Sequence, residues 1–103
     1  MRGLRSSEPV APLGRAMAIQ NAQVKADLIQ RLRRIEGQAR GVARMIEEGR
    51  DCREVLQQLA AIRAAVQQAS VQVLRSYTLE CLQSEESPEA VAEALIRAIH
   101  QLT

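Results

Sequence analysis

Two apolar ladders separated by a single glycine constrain this chain more than anything else in it. Leu28, Leu32, Ile35, Ala39, Val42 and Ile46 step along the sequence by 4, 3, 4, 3 and 4 residues, and Val55, Leu59, Ile62, Val66, Ala69 and Val73 repeat that rhythm. Such spacing places each set on one face of an α-helix and does not fit the two-residue period of a strand. Gly49 stands between the ladders, where a residue able to turn left-handed ends a helix. Asp51 and Glu54 follow with the spacing of a capping box, aspartate replacing the usual serine or threonine. The pattern predicts one helix from about Gln20 to Glu48 and a second from the Asp51 cap to about Gln83, with Leu56, Leu74 and Leu82 as a further apolar line. "SEESPE" then breaks the ladder. Ser87 or Ser84 caps a short third helix, with Pro88 in its first turn and Val91, Leu95, Ala98 and Leu102 facing inward. No segment alternates as a strand would. The expected fold is all-α: an antiparallel helical hairpin followed by a short C-terminal helix.

Composition bears on how such a hairpin is held together. The 103 residues include no Phe and no Trp, and Tyr77 is the only aromatic residue. A core of small aliphatic side chains in so short a chain is marginal, so packing between copies is expected. Residues 1–18 hold two prolines and two glycines without periodicity and are expected to form a flexible tail, with residues 19–103 as the helical domain. No apolar run approaches the roughly 20 residues that cross a bilayer. The N-terminus also lacks the apolar stretch of a secretory signal. The expected location is the cytoplasm, with no membrane partner.

Charge is divided unevenly. Residues 1–50 carry ten basic and five acidic side chains, whereas residues 51–103 carry four and seven. On the first helix, Arg33, Arg40 and Arg44 fall within about 40° of one another on the side opposite the apolar ladder. Gly37 and Gly41 lie beside them and would permit close approach of a backbone or a phosphate. A solvated face would pair its charges, and Asp27–Arg31, Glu36–Arg40 and Arg44–Glu48 have the i,i+4 spacing to do so. Arg33 and Arg34 have no acid four residues away, and 13 of the 14 basic residues are arginine, the better donor to phosphates and base edges. These features point to a polyanion. Without an aromatic stacking platform, duplex DNA fits better than a single strand. No cofactor motif, paired acid and base, or activated nucleophile suggests an enzyme.

The two cysteines lie near opposite ends of the second expected helix. Twenty-nine residues of helix separate Cys52 from Cys81 by roughly 44 Å, and a disulfide needs Cα atoms within about 7 Å. If they cooperate, they do so between chains, as two equivalent Cys52–Cys81′ sites in a dimer. Cys52 opens a helix beside Arg50 and Arg53, which favours a thiolate. Cys81 ends the same helix next to Glu80, which disfavours one. On this reading Cys52 is the attacking thiol and Cys81 the resolving one. Both also suit the bland role of small core residues.

The stretch "RLRRIEGQARGVARMIEEGRDCREVLQQLAAIRAAV" resembles the CsoR/RcnR/FrmR family of bacterial repressors, and the resemblance covers about residues 20–103. It implies an all-helical homotetramer, a dimer of dimers, that releases double-stranded operator DNA when an inducer binds at an intersubunit cysteine site. Copper-sensing members use a cysteine and, from the partner subunit, an H-x-x-x-C pair. Cys52 and Cys81 match the cysteines, while Tyr77, in "YTLEC", occupies the histidine position. Nickel and cobalt members need several histidines, and His100 is the only one here. Formaldehyde sensors lack a cysteine at the place of Cys81. Two cysteines without the histidine are similar to the CstR branch, which senses persulfides and polysulfides. The resemblance therefore implies a repressor that holds DNA through Arg31, Arg33, Arg34, Arg40 and Arg44, with Lys25 and Gln38 as helpers. Polysulfide attacked by Cys52 and closed by the partner subunit's Cys81 into a di- to tetrasulfide link would release the DNA, with no metal or other cofactor. The alternative is a Cu(I) sensor using the same two thiolates. From another class comes a helical assembly module whose arginines serve protein partners.

Overall fold

The computed structural model describes residues 17–102. Among the described residues there are three helices and no strand: α1 (Ala22–Glu47), α2 (Cys52–Leu82) and α3 (Pro88–His100). The all-α expectation holds. Of the expected tail, residues 1–18, all but the last two lie outside the described residues.

Local chemistry sets each helix end. Asn21 caps α1, its side-chain oxygen accepting from the Val24 N–H at 3.0 Å. Gly49 adopts φ +74, and around it the Gly49 N–H donates to the Ile46 carbonyl at 3.1 Å and the Arg50 N–H to the Met45 carbonyl at 3.0 Å. This is a Schellman end, which consumes carbonyls that would otherwise be left open. Asp51 caps α2 by accepting from the Arg53 N–H at 3.1 Å. The reciprocal half of the expected capping box does not form, because the Glu54 carboxylate accepts instead from the Arg50 guanidinium at 2.7 and 3.0 Å. A charged donor two atoms wide outcompetes a single backbone N–H. The choice between Ser84 and Ser87 is resolved in favour of Ser87, whose Oγ accepts from the Ala90 N–H at 3.1 Å. Ser84 closes the other side of the turn by donating to the Cys81 carbonyl at 2.6 Å.

The helices fall into two compact units, one formed by Asn21–Gln72 and one built on Val73 and the residues after it. In the first, α1 packs antiparallel on the first part of α2. Arg31 of α1 donates to the Gln68 side chain of α2 at 3.3 Å, a bond joining residues 37 apart with Gly49 near their midpoint. Leu28 and Val42 of α1 and Ala69 of α2 are buried, with Ile35, Val55 and Ile62 half-buried. The full apolar ladder was expected to face inward, yet Leu32 and Ile46 on α1, and Leu59 and Val66 on α2, are exposed. Two cylinders touch along one line, so each can cover only part of a broad apolar stripe. In the second unit, Cys81, Val91 and Ala94 are buried. Leu95 and Ala98 are half-buried, whereas Leu102, expected inward, is 42% exposed at the end of the helix.

Candidate functional site

The basic face belongs to α1. Measured from the buried Leu28–Val42 line, Arg33, Arg40 and Arg44 lie on the far side of the helix, and all three are exposed, as are Arg34 and Lys25. Arg40 pairs with Glu36 at 3.6 Å, both side chains about two-thirds exposed. Among the described residues neither Asp27–Arg31 nor Arg44–Glu48 closes as an ion pair, so only one of the three i,i+4 pairs forms. A pair this open adds little stability and leaves the guanidinium free to exchange its partner. Arg31 is different: half-buried at the edge of the helix contact, it is spent on Gln68. Gln38 lies on that same edge, half-buried, with its Oε1 enclosed and unpartnered. A helical projection centred on the apolar ladder sets these two at about 60° and 80° from its centre, apart from the outward stripe.

The two cysteines have opposite surroundings. Cys52, the first residue of α2, is exposed. The arginines beside it are both engaged, Arg50 with Glu54 at 2.7 Å and Arg53 with Asp51 at 3.6 Å. Their charges are thus largely offset locally, and of the first N–H groups of α2 those of Arg53, Glu54 and Val55 already donate to Asp51. Cys81 is 0% exposed. It forms part of the wall of a shallow depression of about 290 Å³ edged also by Leu82, Ser84, Glu86, Pro88, Val91 and Ala92. Tyr77, one turn earlier on α2, lies on the same helical face as Cys81, whose thiol acts on its phenol. Burial, together with the neighbouring Cys81, holds that phenol above its ordinary value of 10.0, and the positive charge of Arg97 on α3 opposes the shift. Tyr77 is therefore a neutral hydroxyl at physiological pH, not an anionic oxygen. Arg97 is the one member of this group that sequence reasoning missed. Its only signal was a place one helical turn beyond Ala94 on α3.

Within one chain, no three of His, Cys, Asp and Glu cluster so as to hold a metal ion among the described residues. His100, the only histidine, is exposed at the last position of α3. A metal captured at Cys81 would have to find its other donors on a second copy. No helix among the described residues is long and apolar enough to cross a membrane.

Two long helices and a short one, an exposed arginine stripe and a cysteine at each end of α2 are the features to set beside known proteins. Residues 24–101 match the family described as metal-sensitive transcriptional repressor, and the chain belongs to that family. It is 42% identical over 60 residues to the copper-sensing transcriptional repressor RicR of Mycobacterium tuberculosis, a stretch covering 58% of this chain and 62% of that protein, less than two thirds of its length. Among solved structures, the nickel-responsive transcriptional regulator InrS superposes with a TM-score of 0.72 at 33% identity, covering 86% of this chain and 100% of that one. The copper-sensing repressor CsoR with Cu(I) from Geobacillus thermodenitrificans superposes with a TM-score of 0.71 at 33% identity, covering 84% of this chain and 93% of that one. These findings correct the expectation that no metal is involved: the family is metal-sensitive, and relatives are named for copper and nickel. The absence of a histidine from the Tyr77 position had weighed too heavily, because two thiolates alone are already a soft donor set.

Proposed function

We propose that this protein is a cytoplasmic DNA-binding repressor that releases duplex operator DNA when Cu(I) is captured between Cys52 of one copy and Cys81 of another. The observation that carries the reading is the donor chemistry: the chain presents two thiols and only one imidazole, in a family whose copper-sensing members are its relatives. Thiolates select Cu(I) among the first-row ions, whereas nickel favours imidazole. When bound, the ion would link two subunits through sulfur. The chain's own residues do the rest. Cys52 projects from an exposed helix start, where it can reach a second copy. Arg33, Arg34, Arg40 and Arg44, joined by Lys25, offer an open row of cations to a phosphate backbone. Arg31 and Gln38 would reach DNA only by leaving the edge of the hairpin. Self-assembly, as a dimer of dimers, is supported by the exposed apolar residues of both units, Leu32, Ile46, Leu59 and Val66 in one and Leu79, Leu82, Ile96 and Ile99 in the other. Capture of an inducer shifts the assembly between two states that present the arginine rows at different spacings.

The test uses a duplex selected from a random pool by the reduced protein and follows binding by fluorescence anisotropy. Buffered Cu(I) should release the duplex from the native protein and leave it bound by Cys52→Ser and Cys81→Ser. Release by inorganic polysulfide with no response to Cu(I) would replace this reading with a persulfide sensor. Failure to select any duplex would assign the arginine row to another partner.

A further inference from the structure

Nothing within the chain requires residue 37 to be glycine. Gly37 lies in the interior of α1, where glycine is less favourable than any residue but proline. Its φ is not positive, unlike that of Gly49, and a Cβ placed on it meets nothing within 4 Å. Neither backbone conformation nor packing therefore accounts for the missing side chain. What surrounds it is charge. The surface neighbours of a helical residue stand three and four positions to either side, and for Gly37 these are Arg33, Arg34, Arg40 and Gly41. All three arginines are exposed, as is Gly37 itself. At 100° per residue, Gly37 lies about 180° from the buried Leu28, at the middle of the outward face. Among the described residues Arg33 and Arg34 form no ion pair, and Arg40 has only its open 3.6 Å pair with Glu36. The outward face of α1 thus carries a patch of bare backbone with arginines on three of its four sides.

We propose that Gly37 is the floor of a phosphate seat: one backbone phosphate of duplex DNA rests against the bare helix there, held by Arg33, Arg34 and Arg40. The inference rests on the DNA-binding reading and deepens it, because it turns a row of cations into a site with a fixed place for one phosphodiester. Charge complementarity commits the seat to this occupant. Guanidinium groups donate paired N–H bonds that match the oxygens of a phosphate, and Arg40 has only to exchange one carboxylate for it. A side chain at position 37 would hold the phosphate off the helix and out of reach of at least one of the three. A second copy docking through the same face would set arginine against arginine. A seated phosphate also fixes where α1 lies along the duplex, which scattered charge does not.

The experiment compares the full-length native protein with Gly37→Lys and Gly41→Lys on the duplex selected by the native protein. Each variant adds one positive charge and replaces a helical glycine by a better helix former, so both should raise the urea midpoint. Gly41 has one arginine, Arg44, among its surface neighbours, and Gly41→Lys should bind the duplex at least as tightly as the native protein. Gly37→Lys should bind at least tenfold more weakly in spite of its added charge. The neutral Gly37→Gln should lose about 0.9 units of salt slope, the share of one phosphate contact. Gly37→Lys binding no more weakly than Gly41→Lys would overturn the seat and leave the DNA reading intact. A lowered urea midpoint, or a changed mass by light scattering, in Gly37→Lys would overturn it too, by assigning the glycine to the fold or to a contact between copies. Failure of the native protein to bind any duplex would overturn both.

Discussion

The two compact units of this chain are near opposites in charge and in what they do with a cysteine. Asn21–Gln72 carries nine basic and six acidic side chains, while the chain from Val73 onward carries two and five. The first unit holds Cys52 and all its arginines but Arg31 out to solvent; the second encloses Cys81 completely. Exposure suits a surface that must meet a polyanion and a thiol that must reach another molecule. Enclosure suits a thiol that must stay unreacted until a matched partner arrives. On the proposed reading the difference is a division of labour, with DNA binding in one unit and the enclosed thiol in the other, and α2 belongs to both as a single helix.

If the division is real, the two activities should come apart under substitution. The largest effect is expected from Cys81→Ser, which should abolish the inducer response while leaving DNA affinity within a factor of about two, since the exposed arginine row is untouched. Anisotropy titrations with and without Cu(I) check both halves, and a matching loss of DNA affinity would break the comparison. The converse is Arg33→Ala with Arg40→Ala and Arg44→Ala. That triple variant should lose about 0.9 units of salt slope for every phosphate contact removed, yet retain Cu(I). Arg31→Ala should change the slope less, because its guanidinium is already engaged by Gln68.

The contrast in burial has its own kinetic signature. If exposing Cys81 requires a local opening of about 3 kcal/mol, its labelling by a thiol reagent should lag that of Cys52 by about a hundredfold. Stopped-flow absorbance with each single-cysteine variant measures the ratio, and equal rates would mean that Cys81 is open in solution. Gly49→Ala addresses the hairpin itself. At φ +74 with open space around the missing Cβ, the cost is backbone strain alone, about 1 to 2 kcal/mol, read as a lower urea midpoint.

The smallest effect sharpens the second unit. Tyr77 is the only tyrosine and there is no Trp, so absorbance near 295 nm reports its ionisation alone. The folded phenol is held above 10.0 by burial first and by Cys81 second. Because the folded state binds this proton more tightly, the stability it contributes is present in full below pH 10 and declines only as pH rises through the folded value. A titration midpoint at or below 10 would remove Tyr77 from the buried corner.

Much of the architecture was legible before any coordinates. The 4/3 rhythm, Gly49, the Asp51 cap and Pro88 are local signals, each acting within a turn of itself, and the end of α1 and the starts of α2 and α3 fall where they stand, whereas the Asn21 cap carried no such reading and Ser84 and Ser87 were equally eligible. The outward stripe of Arg33, Arg40 and Arg44 was legible for the same reason, since helical phase depends only on residue number. Of the proposed cysteine pairing, only the constraint was legible: two cysteines at opposite ends of one helix can meet only between chains, by length alone. What periodicity does not encode is which part of an apolar stripe another element will cover. Leu32 and Ile46 share the phase of Leu28 and Val42, yet only the latter pair meets α2. The choice of Glu54 for Arg50 over its own backbone, the diversion of Arg31 to Gln68, the full enclosure of Cys81 and the approach of Arg97 to Tyr77 were likewise decided by packing. Helix formation is settled by near neighbours along the chain. Burial and the identity of a polar side chain's partner depend on residues distant in sequence that compete for the same space.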